Sequence, residues 1–304
     1  MKRNNNKIIT INSISELYKI SGLPKPKHPL VGLVKLDDIL VATNEPVSLV
    51  LNFYTISLKR HVNSKIKYGQ NYYDFNEGVL VFMEPGQIIS DDGNNQQPQG
   101  WWLVFHPDLI RNYPLAKSIK NYAFFSYAVK EALHLSEAEE TMIETLFKNI
   151  ETEYNHSIDQ YSQDVIVSQI ELLLNYSNRF YNRQFITRKT ASNDLLTKME
   201  TLLDEYFNSE GLLHSGLPTV QYFASKLNMS PNYLSDTLRK ITGQSTQQHI
   251  HNKLIDKAKD YLSTTNLTVS EIAYQLGFEH RQSFNKLFKG KTNVSPLEFR
   301  VSFN

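Results

Sequence analysis

Two seven-residue stretches near the end of this chain repeat one pattern: Phe223-Ala224-Ser225-Lys226-Leu227-Asn228-Met229 and Ile272-Ala273-Tyr274-Gln275-Leu276-Gly277-Phe278. Their alanines stand 49 residues apart. In each, a short helix carries a small Ala where a following helix must come close. It stops at Asn228 or Gly277, residue types that accept a positive φ in a tight turn. A second helix follows each turn. The first of these has Ser230 as N-cap, Pro231 at the first helical position, and Leu234 and Leu238 turned inward. The other turns Phe284, Leu287 and Phe288 inward. This is helix-turn-helix geometry, and finding it twice confines the last third of the chain to an all-α arrangement.

Between the two units, Thr246 to Leu262 predicts one amphipathic helix with Ile250, Leu254, Ala258 and Leu262 on one face. Its length is about 26 Å at 1.5 Å per residue. Helices entering successive major grooves on one side of a duplex sit about 34 Å apart. A bridge of that size can hold both. The outward residues are Asn232, Ser235, Asp236, Arg239 and Lys240 on the first helix, and Arg281, Gln282, Asn285, Lys286 and Lys289 on the second. Arg and Lys donate to guanine, Asn and Gln pair bidentately with adenine, and Asp accepts from cytosine N4. Charge agrees. The whole chain carries +1, but from Thr219 onward eleven Lys and Arg face six Asp and Glu, a net +5 that leaves −4 on residues 1–218. A basic module on an acidic body points to a polyanionic partner.

On these residues the stretch 194–304 resembles the DNA-binding domain of the AraC/XylS family. The second unit carries the likeness most fully, in Ser270-Glu271-Ile272-Ala273, Gly277-Phe278, Ser283-Phe284-Asn285-Lys286-Leu287-Phe288-Lys289 and Ser295-Pro296-Leu297-Glu298-Phe299-Arg300. Two positions depart from it. Thr246 stands where the family usually has proline, and Leu254 where it often has a phosphate-contacting arginine. The resemblance implies that the outward faces named above read bases. It further implies a homodimeric transcription regulator, more often an activator, whose partners are double-stranded promoter DNA and RNA polymerase. For the N-terminal half it implies a cupin-like sensory β-barrel gated by a small-molecule effector, followed by helices that dimerise.

The residues of that half are compatible with it. At 304 residues the chain exceeds one comfortable core. The expected division is a domain over 1–187, a linker at the polar stretch 188–193, and the helical domain over 194–304. Period-two runs at Gly32 to Leu36, Val47 to Leu58, Gly78 to Met83 and Trp101 to Phe105, split by turn formers, predict a β-barrel or sandwich, and hence an α+β fold. Asp91 to Gly100 reads as an exposed loop. After Asp108 the period becomes helical. Ser136 and Glu139 form a capping-box signature ahead of Ile143, Leu146, Phe147, Ile150 and Tyr154. A second helix, Asp164 to Phe185, presents Val167, Ile170, Leu174 and Tyr181. These two helices pack on each other and the barrel, form a dimer seam, or do both. Phe53, Tyr54, Phe82, Trp101 and Trp102 are candidates to line an effector pocket, against the plainer reading of core packing.

Catalytic apparatus is not visible. Cys 0 removes thiolate nucleophiles and Cys-ligated metals. His28, His61 and His106 are isolated, with no His-x-His pair to serve a metal-dependent barrel enzyme. No phosphate loop, nucleophile elbow or zinc-protease motif occurs. The expectation is therefore no enzyme, no metal and no cofactor. The longest apolar runs fall short of a bilayer span and the N-terminus lacks an apolar signal core, so the chain is read as cytoplasmic, without membrane.

Overall fold

Alternating apolar residues build the first half, and the pairing of its strands decides which aromatic side chains meet. The computed structural model describes all residues except 1–7, 40–47, 61–66, 69–70, 73–77, 91–98, 129–130, 188, 209–215 and 303–304. A five-stranded antiparallel sheet runs in the order β10 (Leu133–His134), β7 (Val79–Met83), β4 (Tyr54–Arg60), β9 (Gln99–Phe105), β2 (Val31–Lys35). A three-stranded sheet sets β3 (Ser48–Leu51) between β1 (Ile8–Ile11), parallel to it, and β8 (Ile88–Ser90). A short ladder joins β5 (Lys67–Tyr68) to β6 (Asn71–Tyr72).

The described strands thus form separate open sheets rather than one closed barrel. Much of the reason lies in the run Val47 to Leu58, expected as one strand. It breaks at Asn52 and Phe53, where Asn52 N–H donates to the Ile11 carbonyl at 3.0 Å and Phe53 is fully buried. Its two halves join different sheets. Ile11 and Leu51 of one sheet share a core with Phe53 and Val104, against which Trp102 packs. Helix α1 (Ile14–Ile20) closes that core with Ile14, Leu17 and Tyr18. Of the stretch Asp91 to Gly100, expected as a loop, residues 91–98 lie outside the described residues, while Gln99 and Gly100 open β9.

After β9 come short α2 (Pro107–Ile110) and α3 (Leu115–Ser118), then β10, which the change to helical period had hidden. Helix α4 (Glu137–Asn155) starts in the expected capping box, and Ile143, Leu146, Phe147, Ile150 and Tyr154 are all buried. Helix α5 (Ser162–Thr187) buries Val167, Ile170, Leu174 and Tyr181. Both helices cover the five-stranded sheet: Phe147 stacks on Trp101 at 6.0 Å and Tyr181 lies 6.3 Å from Phe82.

The chain divides into two units, Met1–Gln184 and Phe185–Asn304. Of the stretch expected as a linker, 189–193 begin helix α6 (Lys189–Asn208), and 188 lies outside the described residues. Then follow α7 (Val220–Lys226), α8 (Pro231–Thr242), α9 (Thr246–Thr264), α10 (Val269–Gln275), α11 (Arg281–Thr292) and α12 (Pro296–Val301). Their core gathers Met199, Leu203, Phe223, Ala224, Leu234, Leu238, Ile272, Ala273, Phe284 and Phe288 around the buried face of α9: Ile250, Leu254, Ala258 and Leu262. Arg300 ties α12 back to α9, donating from Nε to the Leu262 carbonyl at 3.2 Å. Among the described residues no helix is long and apolar enough to cross a membrane.

One ion cluster joins the sheet to α4. Arg60 donates to Glu140 at 2.5 Å and to Glu144 at 2.6 Å, and Lys148 lies 3.1 Å from Glu144. Arg60 first, then Lys148, holds the Glu144 carboxyl below its ordinary range. A depressed folded pKa contributes stability that is present above the unfolded value, near 4.3, and lost as pH falls through the folded one. Glu144→Gln is therefore expected to lower the urea midpoint at pH 7 and to converge on the parent only as pH falls from about 4 through the lower folded value. Urea titrations across that range check this; a gap persisting unchanged to pH 3 contradicts it.

Candidate nucleic-acid interface

Each helix-turn-helix unit is assembled from local signals. Thr219 caps α7, accepting from Tyr222 N–H at 3.2 Å. Thr268 caps α10 in a full capping box with Glu271. That box holds the Glu271 carboxyl below its ordinary range, chiefly through the Thr268 N–H donating to it at 2.6 Å. Ala224 and Ala273 have no exposed surface. Past each alanine the chain turns at a positive φ, 55° at Asn228 and 83° at Gly277. The turn is closed by Met229 N–H to the Ala224 carbonyl at 2.8 Å and by Phe278 N–H to the Ala273 carbonyl at 2.9 Å. These are the two turns expected from residue type.

The duplication runs further than the paired alanines suggest. Helices α7 and α10 are related by 49 residues, N-cap to N-cap and C-cap to C-cap. Beyond the turns the offset becomes 50: buried Leu234 and Leu238 match Phe284 and Phe288, and the left-handed C-cap Gly243 matches Asn293. Thr242 Oγ1 donates to the Leu238 carbonyl at 2.8 Å, as Thr292 Oγ1 does to that of Phe288. Ser245 and Ser295 then open α9 and α12 with capping boxes to Gln248 and Glu298. Each repeat is therefore three helices, the last one shortened in the second copy. The second turn holds one residue more, which starts α11 after His280, a cap with no side-chain hydrogen bond. The spacing of the Ser and Thr caps is the sequence signal that carried this.

Both second helices pack against α9. On α8, Asn232, Arg239 and Lys240 are exposed, whereas Ser235 and Asp236 are half-buried. Asp236 accepts from Arg239 at 2.7 Å, and Ser235 Oγ donates to Thr246 Oγ1 at 3.1 Å. On α11, Arg281, Gln282, Lys286 and Lys289 are exposed, and Asn285 is half-buried. Formal charge over the two helices differs, with Asp236, Arg239 and Lys240 on α8 and Arg281, Lys286, Lys289 and Lys291 on α11. Leu254 is buried in the core, so α9 offers no backbone contact from that position. The rings of His249 and His251 have pKa values lowered by burial, with Lys291 also acting on His251, and so add little charge at neutral pH.

The five aromatics taken as pocket candidates do not converge on one site: Trp102 packs on the inter-sheet core that holds Phe53, and the other three lie elsewhere. Strand register places Tyr54, Phe82 and Trp101 on the sheet face under the helices, and Trp102 on the opposite one. Tyr54 stacks on Phe105 at 5.1 Å, Phe82 meets Phe124 at 4.4 Å, and Phe53 is in the inter-sheet core. A polar cleft of about 240 Å³ takes only Trp101 from that set, beside Lys35, Asp37, Arg60, Glu144 and Lys148. Sequence reasoning passed over Thr55 and Ser57, whose side chains are buried on the Trp102 face. Of the histidines, His28 Nδ1 accepts from Leu30 N–H at 3.0 Å and His106 caps α2; His61 lies outside the described residues. Among the described residues no group of three or more His, Asp or Glu is placed to hold a metal ion.

The turns make opposite demands on one substitution. A Cβ at Gly277 would lie 2.8 Å from the Gly216 carbonyl carbon, while one at Gly243 meets nothing within 4 Å. Asparagine tolerates positive φ, so Gly243→Asn, which copies the second repeat, is expected to cost under about 1 kcal/mol. Gly277→Asn, which copies the first, is expected to cost roughly 2 kcal/mol or more. Chemical unfolding of both variants checks the order; equal losses contradict it.

Comparison with known proteins gives the following. Residues 223–302 match a family model described as a helix-turn-helix domain. The transcriptional activator AarP of Providencia stuartii is 39% identical over 70 residues, 23% of this chain and 52% of that protein. The arabinose operon regulatory protein of Escherichia coli is 25% identical over 234 residues, 74% of this chain and 72% of that one. Among solved structures, the C-terminal domain of the response regulator yesN from Fusobacterium nucleatum is 30% identical, covering 34% of this chain and 93% of that chain, with a TM-score of 0.30. The chain spans about half or less of the length of several curated relatives, 11%, 52% and 41% in three cases.

Proposed function

We propose that this chain is a sequence-specific DNA-binding transcription regulator of the AraC/XylS type, acting in the cytoplasm, a reading supported by the helix-turn-helix family match over residues 223–302 and by the likeness to the arabinose operon regulatory protein. The observation that carries the proposal is the duplicated three-helix repeat, whose two second helices rest on one bridge with their cationic residues exposed. Asn232, Asp236, Arg239 and Lys240 on α8, and Arg281, Gln282, Asn285, Lys286 and Lys289 on α11, contact promoter DNA. Some of these read base edges while others hold phosphates, since half or more of protein–DNA hydrogen bonds go to the backbone. Activation, through contact with RNA polymerase, is the mode in keeping with AarP, a relative named as an activator.

The N-terminal unit is a cupin-like sensor in this proposal, and its two sheets enclose the effector. What supports it is chemistry between the sheets: Thr55 and Ser57 bring buried hydroxyls to the face that carries Trp102, polar groups in an apolar setting as small-molecule sites have. The chain acts as a homodimer. Exposed Val165 and Leu172, seven residues apart on α5, present an apolar stripe suited to a second copy.

The test is fluorescence anisotropy with duplexes carrying candidate promoter sequences, from 50 to 200 mM salt. Affinity is expected to fall steeply with salt, and Lys286→Ala or Arg239→Ala to weaken binding by about 1–3 kcal/mol where they read a base. Equal affinity of parent and variants for every duplex contradicts the proposal.

A further inference from the structure

The two second helices differ at one equivalent position in a way the exposed residues do not reveal. With the repeats related by 50 residues, Ser235 corresponds to Asn285 and Thr246 to Pro296. In the first repeat the pair is joined. Thr246 is fully buried, and its Oγ1 accepts from Ser235 Oγ at 3.1 Å, fastening α8 to the bridge helix α9. Proline at 296 brings neither a hydroxyl nor a backbone N–H. At the position equivalent to Ser235, Asn285 Oδ1 is shut off from solvent and has no hydrogen-bond partner among the described residues.

The physical consequences run in opposite directions. A short serine whose hydroxyl is engaged inward must break that bond to reach a base, and it gains little by doing so. An amide oxygen buried without a donor has lost its hydration and received nothing in return. No hydrogen bond rewards the inward pose of Asn285, and any donor outside rewards its rotation. A carboxamide carries acceptor and donor side by side, the pattern that matches adenine N6 and N7 in the major groove.

Resting on the DNA-reading function proposed above, we infer that these equivalent positions have separate roles. Ser235, held by Thr246, is a positioning residue that sets the first recognition helix on the bridge. Asn285 is a specificity-determining residue of the second, turning outward to accept from N6 and donate to N7 of an adenine.

Selection of bound sequences from a randomised duplex pool by the full-length chain, followed by sequencing, separates the roles. The parent is expected to enrich a motif with a fixed A·T pair in the segment contacted by α11. Asn285→Ala is expected to relax that one pair, lowering its preference about tenfold or more while leaving the other positions as they were. Asn285→Ser, the residue of the first repeat, gives the same relaxation and serves if the alanine variant folds poorly by circular dichroism. Ser235→Ala and Thr246→Val are expected to keep the motif position for position and to weaken all bound sequences by a similar factor. Loss of preference at a single pair in Ser235→Ala overturns the inference, as does an unchanged motif in both Asn285 variants. A parent chain that enriches no motif overturns the DNA-reading function, and this inference with it.

Discussion

The apolar face of one helix organises the C-terminal unit. Ile250, Leu254, Ala258 and Leu262 of α9 are buried among residues drawn from both helix-turn-helix repeats. A buried side chain of this size is worth roughly 1.5–3 kcal/mol, whereas an exposed ion pair such as Asp236–Arg239 contributes about 0–1 kcal/mol. Packing therefore sets the geometry of the two second helices, and their charges are not what holds them in place. The departure at Leu254 fits this division. A side chain at that position serves the core that aligns the helices and leaves contact with the polyanion to them.

The repeats share a scaffold but not a surface. Matching caps, turns and buried positions hold α8 and α11 in equivalent settings, so differences between their outward residues are differences in chemistry rather than in fold. On α8 an acidic residue is paired with an arginine and a serine is bound inward. On α11 four cations accompany one amide whose oxygen is unsatisfied. Net positive charge raises affinity for any duplex, while directional amide and guanidinium groups discriminate among base pairs. A chain that concentrates positive charge on one helix and constrains the other can tune these two properties separately.

What could be read from the sequence was local. Ser136 with Glu139, Ser230 with Pro231, and the Asn228 and Gly277 turns each act within a few residues, so residue type and spacing sufficed. The outward faces of α8 and α11 followed from the buried Leu234, Leu238, Phe284 and Phe288. The less legible features depend on chain segments far apart. Strands β1 and β10 are short and gain meaning only from partners elsewhere. The run from Val47 to Leu58 alternates smoothly, yet its break at Asn52 and Phe53 answers to Ile11. Aromatic type alone could not tell Trp101 from Trp102, because adjacent strand residues face opposite sides. Likewise, Ser235 sits on the outward arc of its helix by periodicity, and only the buried hydroxyl of Thr246 draws it inward.

The central claim is that one rigid core presents two second helices to one duplex at the spacing of its major groove. Methylation protection of guanine N7 on a bound promoter fragment measures this directly, since N7 lies in that groove. The account predicts two protected clusters per chain, centred about 10–10.5 base pairs apart on the same face of the DNA. A single cluster, or two displaced by half a turn, would contradict it.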